Sequence, residues 1–276
     1  MEKKLLLSVK KLSISFNSNN VLSKAVNSIS FDVYENEIVG VIGESGSGKS
    51  VTALSLMRLI QFSEKTKFSG TVTYKGMDIK ELSEKEIQSV RGREIAMVFQ
   101  EPMSALNPSM TCGSQVREIL LHHDVVNKKD LNDEVLRLFN SVKIPDAHMA
   151  VQKYPHELSG GQQQRVMIAM AIACKPKILI ADEPTTALDV TVQKEIIALL
   201  SSLQKETKMS IIFISHDLAL VSEISNRILV MYKGRIIENG DTNTVLKTPK
   251  EPYTKACLLY TSDAADDTPC VDLGGR

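Results

Sequence analysis

The chain has 276 residues, 43% of them hydrophobic and 24% charged, and its lysines and arginines balance its aspartates and glutamates at 33 each. This composition fits a globular protein with a large core, and the balanced charge argues against a nucleic acid or an acidic lipid surface as a partner. No stretch reaches the roughly 18 to 20 uninterrupted apolar residues of a membrane span, and residues 1–5 turn polar too early for a secretory signal.

The first elements along the chain are predicted to be strands. Residues from about 5 to 40 alternate apolar and polar side chains, as in Leu5–Val9 and Ile29–Val33, and the pattern continues through Gly70–Tyr74. These segments predict an antiparallel sheet beside a parallel core. Phe16 lies within this alternation, so on the pattern alone it is an ordinary core residue of a strand.

A glycine-rich turn follows the apolar run Ile38–Ile42. The segment Gly43–Ser50 has the pattern G-x-x-x-x-G-K-S, in which glycines let successive backbone N–H groups approach phosphate oxygens. Lys49 supplies a positive charge for the β- and γ-phosphates, Ser50 can ligate magnesium, and the helix that starts near Gly48 adds the positive end of its dipole. A glycine turn that binds nothing is the alternative, but the complete pattern after a strand predicts a nucleoside triphosphate site.

Residues from about 105 to 175 are predicted to be mostly helical, with an amphipathic helix over Leu131–Val142. The last helix of this region carries the apolar run Val166–Ala173. It begins at Leu158–Gln162, where a serine and two glycines leave backbone N–H groups open to a second anion. On its own, this segment is an ordinary helix start.

The run Lys177–Pro184 predicts a short buried strand that ends in Asp182 and Glu183. Consecutive residues of a strand point to opposite sides, so the two carboxylates are expected to play different roles. One is suited to hold magnesium beside the phosphate turn, and the other to polarise the water that attacks the γ-phosphate. Alone, a solvated acidic pair would explain them, but together with Lys49 and Ser159 they predict a hydrolytic nucleotide site.

Strands and helices alternate through the rest of the chain, with strands over 178–182, 210–214 and 228–232 and helices over 190–206 and 217–225. This alternation predicts a parallel sheet with ligands at its carboxyl edge. His216 follows a strand at that edge, although it could instead cap the helix that begins at Asp217. Lys233 and Gly234 predict a hairpin turn before the last strand.

The chemical motifs occur in a recognisable order, which is GESGSGKS at 43–50, Gln100, LSGGQ at 158–162, ILIADE at 178–183, TALD at 186–189 and ISHD at 214–217. This order resembles that of the nucleotide-binding subunit of ATP-binding cassette (ABC) transporters, over about Leu5 to Ala256. Within that superfamily, residues 99–108, 154–158 and 181–192 resemble the dipeptide and oligopeptide import ATPases most closely.

The resemblance implies an α/β fold, with a P-loop NTPase parallel-sheet core, an antiparallel β subdomain and an inserted α-helical signature subdomain. The ABC ATPase domain would span residues 1–256, with its helical subdomain at about 105–175. ATP and Mg²⁺ are the implied cofactors.

The resemblance also implies a role for each site residue. Glu183 would be the general base, Asp182 the magnesium-side carboxylate and His216 a switch that contacts the γ-phosphate. Gln100 would join the metal and water shell and report to the membrane subunits, although it could be a surface turn residue, and Phe16 would stack on adenine. The implied nucleotide contacts are Phe16, Gly43, Glu44, Ser45, Gly46, Ser47, Gly48, Lys49, Ser50 and Val51 in one subunit and Ser159, Gly160, Gly161, Gln162 and Asp189 in the facing subunit, and the implied metal ligands are Ser50, Gln100 and Asp182.

Such a layout separates the LSGGQ segment from the phosphate turn of the same chain, so two ATPase subunits are expected to face head to tail with ATP between them. The implied partners are a second ATPase chain (a copy or a relative), two membrane permease subunits and, indirectly, an extracytoplasmic substrate-binding protein. These partners imply a peripheral position at the cytoplasmic face of the inner membrane. The scattered cysteines form no disulfide framework, which agrees with a reducing cytosol.

The resemblance favours import of short peptides. Nickel or another small solute stays an alternative, because importers of this type share the ATPase. A soluble cassette ATPase acting in translation or DNA repair is a different class, and it normally needs a second cassette or a long inserted coiled coil, neither of which occurs in this sequence. A fragment that folds poorly and hydrolyses nothing is the third alternative.

Residues 257–276 do not continue the resemblance. Cys257–Asp267 and Val271–Arg276 look like one reading frame of a transposon-end sequencing adapter, so we predict that this tail is not native and that the natural protein runs past Ala256. Members of the branch usually continue with an extension that often carries a cysteine cluster, and on this interpretation Cys257 and Cys270 are not metal ligands. A natural polar tail is the alternative.

Overall fold

The computed structural model describes residues 4–18, 21–60, 66–186 and 188–263. Within these ranges the strands are β1 (Leu5–Ser18), β2 (Val21–Tyr34), β3 (Ile38–Ile42), β4 (Thr66–Tyr74), β5 (Met77–Asp78), β6 (Ile95–Val98), β7 (Ile178–Asp182), β8 (Ser210–Ser215), β9 (Arg227–Tyr232) and β10 (Arg235–Asp241). The helices are α1 (Lys49–Leu56), α2 (Glu84–Val90), α3 (Pro102–Ala105), α4 (Cys112–His122), α5 (Leu131–Ser141), α6 (Ala147–Ala150), α7 (Gly160–Ile172), α8 (Val190–Thr207), α9 (Leu218–Ile224), α10 (Thr242–Lys247) and α11 (Pro252–Asp263).

The central sheet has the strand order β10-β9-β3-β8-β7-β6, in which β10 is antiparallel to β9 and the other pairs are parallel. Its inner strands are buried along their whole length and mostly apolar, as expected of a parallel sheet covered on both faces. Ile42 pairs with Ser215 and Ile214 pairs with Asp182, so β3, β8 and β7 end at one edge. The predicted parallel sheet is confirmed, and its carboxyl edge gathers the loops that carry the chemical motifs.

An antiparallel sheet, with the order β2-β1-β4-β5, covers one face of the central sheet. Its buried residues Leu12, Ile14 and Val26 form one apolar cluster with α1 and with Val39 and Val41 of β3. This confirms the antiparallel sheet that the alternating pattern predicted. The arrangement holds the loop between β3 and α1 against the edge of β2.

The helices between β6 and β7 belong to a second apolar cluster, which includes the opposite face of β3 through Ile38 and Ile42. In α7, Arg165 is only 8% exposed and donates hydrogen bonds to the Val142 carbonyl at 2.9 Å and to Glu195 of α8 at 2.7 Å. These contacts fix the start of α7 relative to α8. Among the described helices, none has both the length and the apolar character needed to cross a membrane.

The turn between β9 and β10 contains two residues, Lys233 with φ 46° and Gly234 with φ 77°. Arg235 pairs with Tyr232 across it. Positive φ at both central residues is typical of a type I′ hairpin turn, so the predicted hairpin is confirmed. The predicted limits of the helical subdomain (105–175) and of the non-native tail (257–276) stay predictions, and Cys270 and Val271–Arg276 lie outside the described residues.

Candidate nucleotide site

The phosphate loop, Gly43–Ser50, joins β3 to α1. Gly48 is the N-cap of α1, with φ 99°, and a Cβ there would lie 2.4 Å from the carbonyl oxygen of Ala25 in β2. Only glycine permits so close an approach with a positive φ. Gly46 has φ 78°, and a Cβ there would meet no atom within 4 Å. The loop is therefore packed against β2 at Gly48 and open at Gly46, where phosphate oxygens have room to approach.

Lys49 is the buried cation of the loop, with only 4% of its side chain exposed. Its ammonium Nζ donates to the carbonyl oxygens of Gly43 at 2.7 Å and Glu44 at 3.0 Å, and it lies 3.8 Å from Glu183 Oε1. Burial lowers the pKa of Lys49, and the nearby carboxylates of Glu183 and Asp182 oppose that shift without cancelling it. A desolvated cation held by two neutral carbonyls is well suited to bind an incoming anionic phosphate.

Asp182 ends β7 and is 5% exposed. Its Oδ1 accepts a hydrogen bond from Ser50 Oγ at 3.1 Å. Burial is the main cause that raises the pKa of Asp182, and the charge of Glu183 adds to it, while Ser50 and Lys49 act in the opposite direction. A hydroxyl and a carboxylate oxygen side by side are hard oxygen donors of the kind that Mg²⁺ prefers, so the residues present fit this ion.

Glu183 is the centre of the polar cluster, and three groups converge on its Oε2. Thr186 Oγ1 donates to this oxygen at 2.9 Å and Gln100 Nε2 donates at 3.4 Å. His216 Nδ1 lies 3.2 Å from the same oxygen. Glu183 has a left-handed φ of 46°, a conformation that costs a non-glycine residue about 1–3 kcal/mol and is concentrated at functional sites.

The fold explains why these groups meet. Gln100 follows β6, Glu183 follows β7 and His216 follows β8, and these strands are neighbours in the central sheet. Asp217, not His216, caps α9, because its Oδ1 accepts from the N–H groups of Ala219 and Leu220. His216 is therefore available to the cluster at the sheet edge.

A cavity of about 1050 Å³ opens over the phosphate loop. Its lining brings together most of the predicted loop residues with Gln100, Glu183 and His216. Ser47 and Asp182 are buried behind this surface and do not line it. Among the described residues, the lining includes no member of Ser159–Gln162 and no atom of Asp189.

The segment that starts α7 lies outside this cavity and is capped by its own residues. Ser159 Oγ accepts from the N–H of Gln162 at 3.3 Å, and Gln162 Oε1 accepts from the N–H of Ser159 at 3.1 Å, which is a capping box. Gly161 is needed for packing, because a Cβ there would lie 2.7 Å from Val192 Cγ1. At Gly160 a Cβ would only touch Leu188 at 3.5 Å, so packing within this chain leaves room for a side chain there.

Two other predicted residues have local structural roles. Asp189 is the N-cap of α8 and accepts from the N–H of Val192 at 3.0 Å. Phe16 is half-buried in β1 and packs on the apolar cluster of the antiparallel sheet, and it does not line the cavity. The stacking of Phe16 on adenine therefore stays a prediction.

Sequence reasoning missed several residues at the site. The motif that contains Thr186 gives this residue no role, but in the structure its hydroxyl contacts Glu183 directly. Ala25, Leu218 and Tyr253 also line the cavity. No local pattern marks these three, since each reaches the loop only through the folding of a distant segment.

The class of protein follows from this fold and from the family comparison. The ABC transporter family profile matches residues 26–186, which include the phosphate loop, the start of α7 and the Asp182–Glu183 pair. The chain belongs to the ABC transporter family.

Its relatives narrow the assignment further. The chain is 47% identical to the dipeptide transport ATP-binding protein DppD of Escherichia coli over 262 residues, which are 95% of this chain and 80% of that protein. It is 44% identical to DppD of Bacillus subtilis over 275 residues, which are 100% of this chain and 79% of that protein.

Solved structures give the same fold. The dimeric post-hydrolysis state of the ATP-binding cassette MJ0796, bound to ADP and Pi, matches with a TM-score of 0.76 and 26% identity, over 86% of this chain and 99% of that one. The predicted fold class, a P-loop NTPase core with an antiparallel β subdomain and a helical signature region, is confirmed.

Proposed function

We propose that this chain is the ATP-hydrolysing subunit that powers the import of short peptides through a membrane ABC transporter. The observation that carries the ATPase assignment is the convergence of Lys49, Ser50, Asp182 and Glu183 at one sheet edge, in a chain of the ABC family. Peptides are the favoured cargo because the relatives at 44% and 47% identity are named as dipeptide transport ATP-binding proteins.

The geometry supports hydrolysis by positioning and charge compensation, without a covalent nucleophile. Lys49 would exchange its carbonyl partners for oxygens of the β- and γ-phosphates. Glu183 would accept the proton of the attacking water, and two of the three groups already at its Oε2, Gln100 and His216, would orient the water and the γ-phosphate. Ser50 and Asp182, with Gln100 nearby, would hold Mg²⁺, which when bound neutralises phosphate charge.

The site needs a second chain in this proposal. The start of α7 contributes nothing to the cavity of its own chain within the described residues. The N–H groups of Gly160 and Gly161 belong to the first turn of α7, where backbone donors have no partner within the helix. We therefore place them against the γ-phosphate held by a facing ATPase subunit, so that hydrolysis removes the bridge and opens the pair.

The membrane subunits would contact the segment after Gln100. Met103 in this segment is 71% exposed, and Phe99, directly before Gln100, is 40% exposed, so apolar side chains flank the residue that contacts Glu183. Large exposed apolar side chains favour a protein partner at such a surface. The proposed partners are two permease subunits, with an extracytoplasmic binding protein acting through them, and the proposed location is the cytoplasmic face of the inner membrane.

The test is an ATPase assay of the chain assembled in vesicles with candidate permease subunits. We expect hydrolysis to rise when the substrate-binding protein is loaded with a dipeptide, and to stay at its basal rate with nickel. Stimulation by nickel alone would reject the peptide assignment. An ATPase rate that is the same with and without the permeases would reject the transport role.

A further inference from the structure

The C-terminal helix α11 contacts the phosphate loop through one tyrosine. Tyr253 Oη accepts a hydrogen bond from the backbone N–H of Glu44 at 3.0 Å, across 209 positions of sequence. The same tyrosine lines the cavity over the loop. Tyr253 itself lies before residue 257, but α11 continues into the predicted non-native tail, and the Tyr253 hydroxyl also interacts with the thiol of Cys257 there.

The peptide unit that Tyr253 contacts also holds the ammonium group of Lys49. The N–H of Glu44 and the carbonyl of Gly43 belong to one planar peptide. Tyr253 binds its N–H end, and Lys49 Nζ binds its C=O end at 2.7 Å. Rotation of this peptide would therefore displace both the first turn of the loop and the cation. If phosphate oxygens replace the carbonyl oxygens as partners of Lys49, the Tyr253 hydroxyl would still hold the N–H end of this peptide.

The tyrosine is itself held in place from two sides. Its ring packs against Tyr232 of β9, with centroids 4.5 Å apart and planes at 35°. Glu238 of β10 accepts from the N–H groups of Lys250 at 2.9 Å and Glu251 at 3.2 Å, which fixes the backbone just before α11. Both anchoring strands belong to the central sheet that carries the phosphate loop. Two strands of the central sheet thus hold the ring and the backbone beside Glu44.

We propose that Tyr253 is a positioning residue for nucleotide binding, which orients the Gly43–Glu44 peptide and through it the phosphate loop and Lys49. This inference rests on the proposed nucleotide site and adds to it a residue from the C-terminal helix. It predicts that nucleotide affinity depends on the Tyr253 hydroxyl, while the chemical step does not.

The test is Tyr253→Phe in the full chain, which removes the hydroxyl and keeps the ring. We expect the Kd for ATP and for ADP to rise by the same factor, about three- to tenfold, which corresponds to the loss of one ordinary hydrogen bond. The kcat for ATP hydrolysis by the assembled transporter should be unchanged at saturating ATP. Amide hydrogen exchange at Glu44 should become faster without nucleotide.

Two control variants separate the possible failures. Tyr232→Phe keeps the ring pair and removes a hydroxyl that makes no described bond to the loop, so its Kd should match that of the original chain. Lys49→Ala should lose ATP binding. If Lys49→Ala loses ATP binding but Tyr253→Phe keeps the original Kd, the proposed role of Tyr253 is wrong and the nucleotide site stands. The same conclusion follows if Tyr232→Phe raises the Kd as much as Tyr253→Phe does. If Lys49→Ala binds ATP normally, the proposed site itself is wrong.

Discussion

The phosphate-loop cluster and the start of α7 are both predicted to touch one nucleotide, yet they are built in opposite ways. At the loop, the charged groups Lys49, Asp182 and Glu183 are largely buried, Lys49 lies 3.8 Å from Glu183, and Asp182 accepts a hydrogen bond from Ser50. At the start of α7, Ser159 and Gly160 are exposed and uncharged. The first region is assembled within the chain, and the second presents only uncharged groups, namely backbone N–H groups, the Ser159 hydroxyl and the Gln162 amide.

In the proposed two-chain site, this difference would let each half fold before the site is complete. A cluster of buried charges is stable only when its members compensate one another, so it must be assembled within one chain. The helix start satisfies its side chains through the capping box and still keeps free donors in its first turn. It can therefore remain exposed at little cost until a facing subunit arrives.

The largest effect is expected from Glu183→Gln, which breaks the centre of the loop cluster. The amide keeps the shape but cannot accept the proton of water, so hydrolysis should fall by about 100- to 10,000-fold. ATP binding should persist and the dimer should stay closed, as measured by ATPase rate and by sedimentation with ATP. The exposed Glu206→Gln of α8 is the matched control, and normal turnover in Glu183→Gln would contradict the assigned base.

Asp182→Asn should have opposite effects on activity and stability. Hydrolysis should fall about 100-fold, because the magnesium-side charge is lost. Burial raises the pKa of Asp182 in the folded state, so ionisation of this carboxyl lowers the free energy of unfolding. This loss of stability is absent below about pH 3.8, the pKa of the carboxyl in the unfolded chain, and is complete above its pKa in the folded chain. Near neutral pH, without nucleotide or metal, the amide should raise Tm by about 2–4 °C for each kcal/mol recovered.

The comparison for Asp182→Asn is Asp124→Asn at an exposed left-handed position, where the amide is well tolerated and Tm should not change. Calorimetry of both variants measures whether Tm rises in Asp182→Asn and stays the same in Asp124→Asn. A lower Tm for Asp182→Asn would mean that its contact with Ser50 outweighs the cost of burying the charge.

Gly160→Ala tests the other region. The added methyl group meets only Leu188 at 3.5 Å, and alanine favours a helix over glycine by up to about 1 kcal/mol, so the fold should be kept or slightly stabilised. Alanine keeps the N–H, but if a facing nucleotide approaches it, the methyl group would hold the phosphate away and weaken this charge-assisted hydrogen bond, so hydrolysis should fall about tenfold or more.

The contrast to Gly160→Ala is Gly161→Ala, whose methyl group would lie 2.7 Å from Val192 Cγ1. That variant should lower Tm as well as activity. Thermal melts and ATPase rates of the two variants distinguish an effect on packing from an effect on phosphate binding. Full ATPase activity in Gly160→Ala would contradict a phosphate-binding role for the start of α7.

The smallest effect concerns Phe16→Leu, which keeps an apolar side chain but removes the ring. Stacking on adenine would make the Kd for ATP rise about two- to tenfold with little change in Tm. If Phe16 is only core of the antiparallel sheet, where it packs in this structure, Tm should fall and the Kd should stay the same. Measuring both quantities on one preparation distinguishes the two roles.

Much of the fold was accessible from local patterns. Alternation predicted the antiparallel strands, buried apolar runs predicted the parallel ones, and Lys233–Gly234 predicted the hairpin, because in each case the signal lies within a few neighbouring residues. Those residues of the candidate site that define the sequence motifs were predicted. Thr186 and Tyr253 were not, since a hydrogen bond to Glu183 or to Glu44 leaves no trace in the pattern around the donor or acceptor.

The sequence by itself determined the class of this protein, because a phosphate loop, a helix start rich in glycine and a paired carboxylate strand end occur in a fixed order. Only the tertiary structure decided which residues meet. It placed Gln100, Glu183 and His216 on one edge through the strand order, kept Ser159–Gln162 out of the same cavity, and brought Tyr253 to the loop. The physical reason is that spacing along a chain encodes local geometry, while contacts between distant segments arise from how sheets and helices pack.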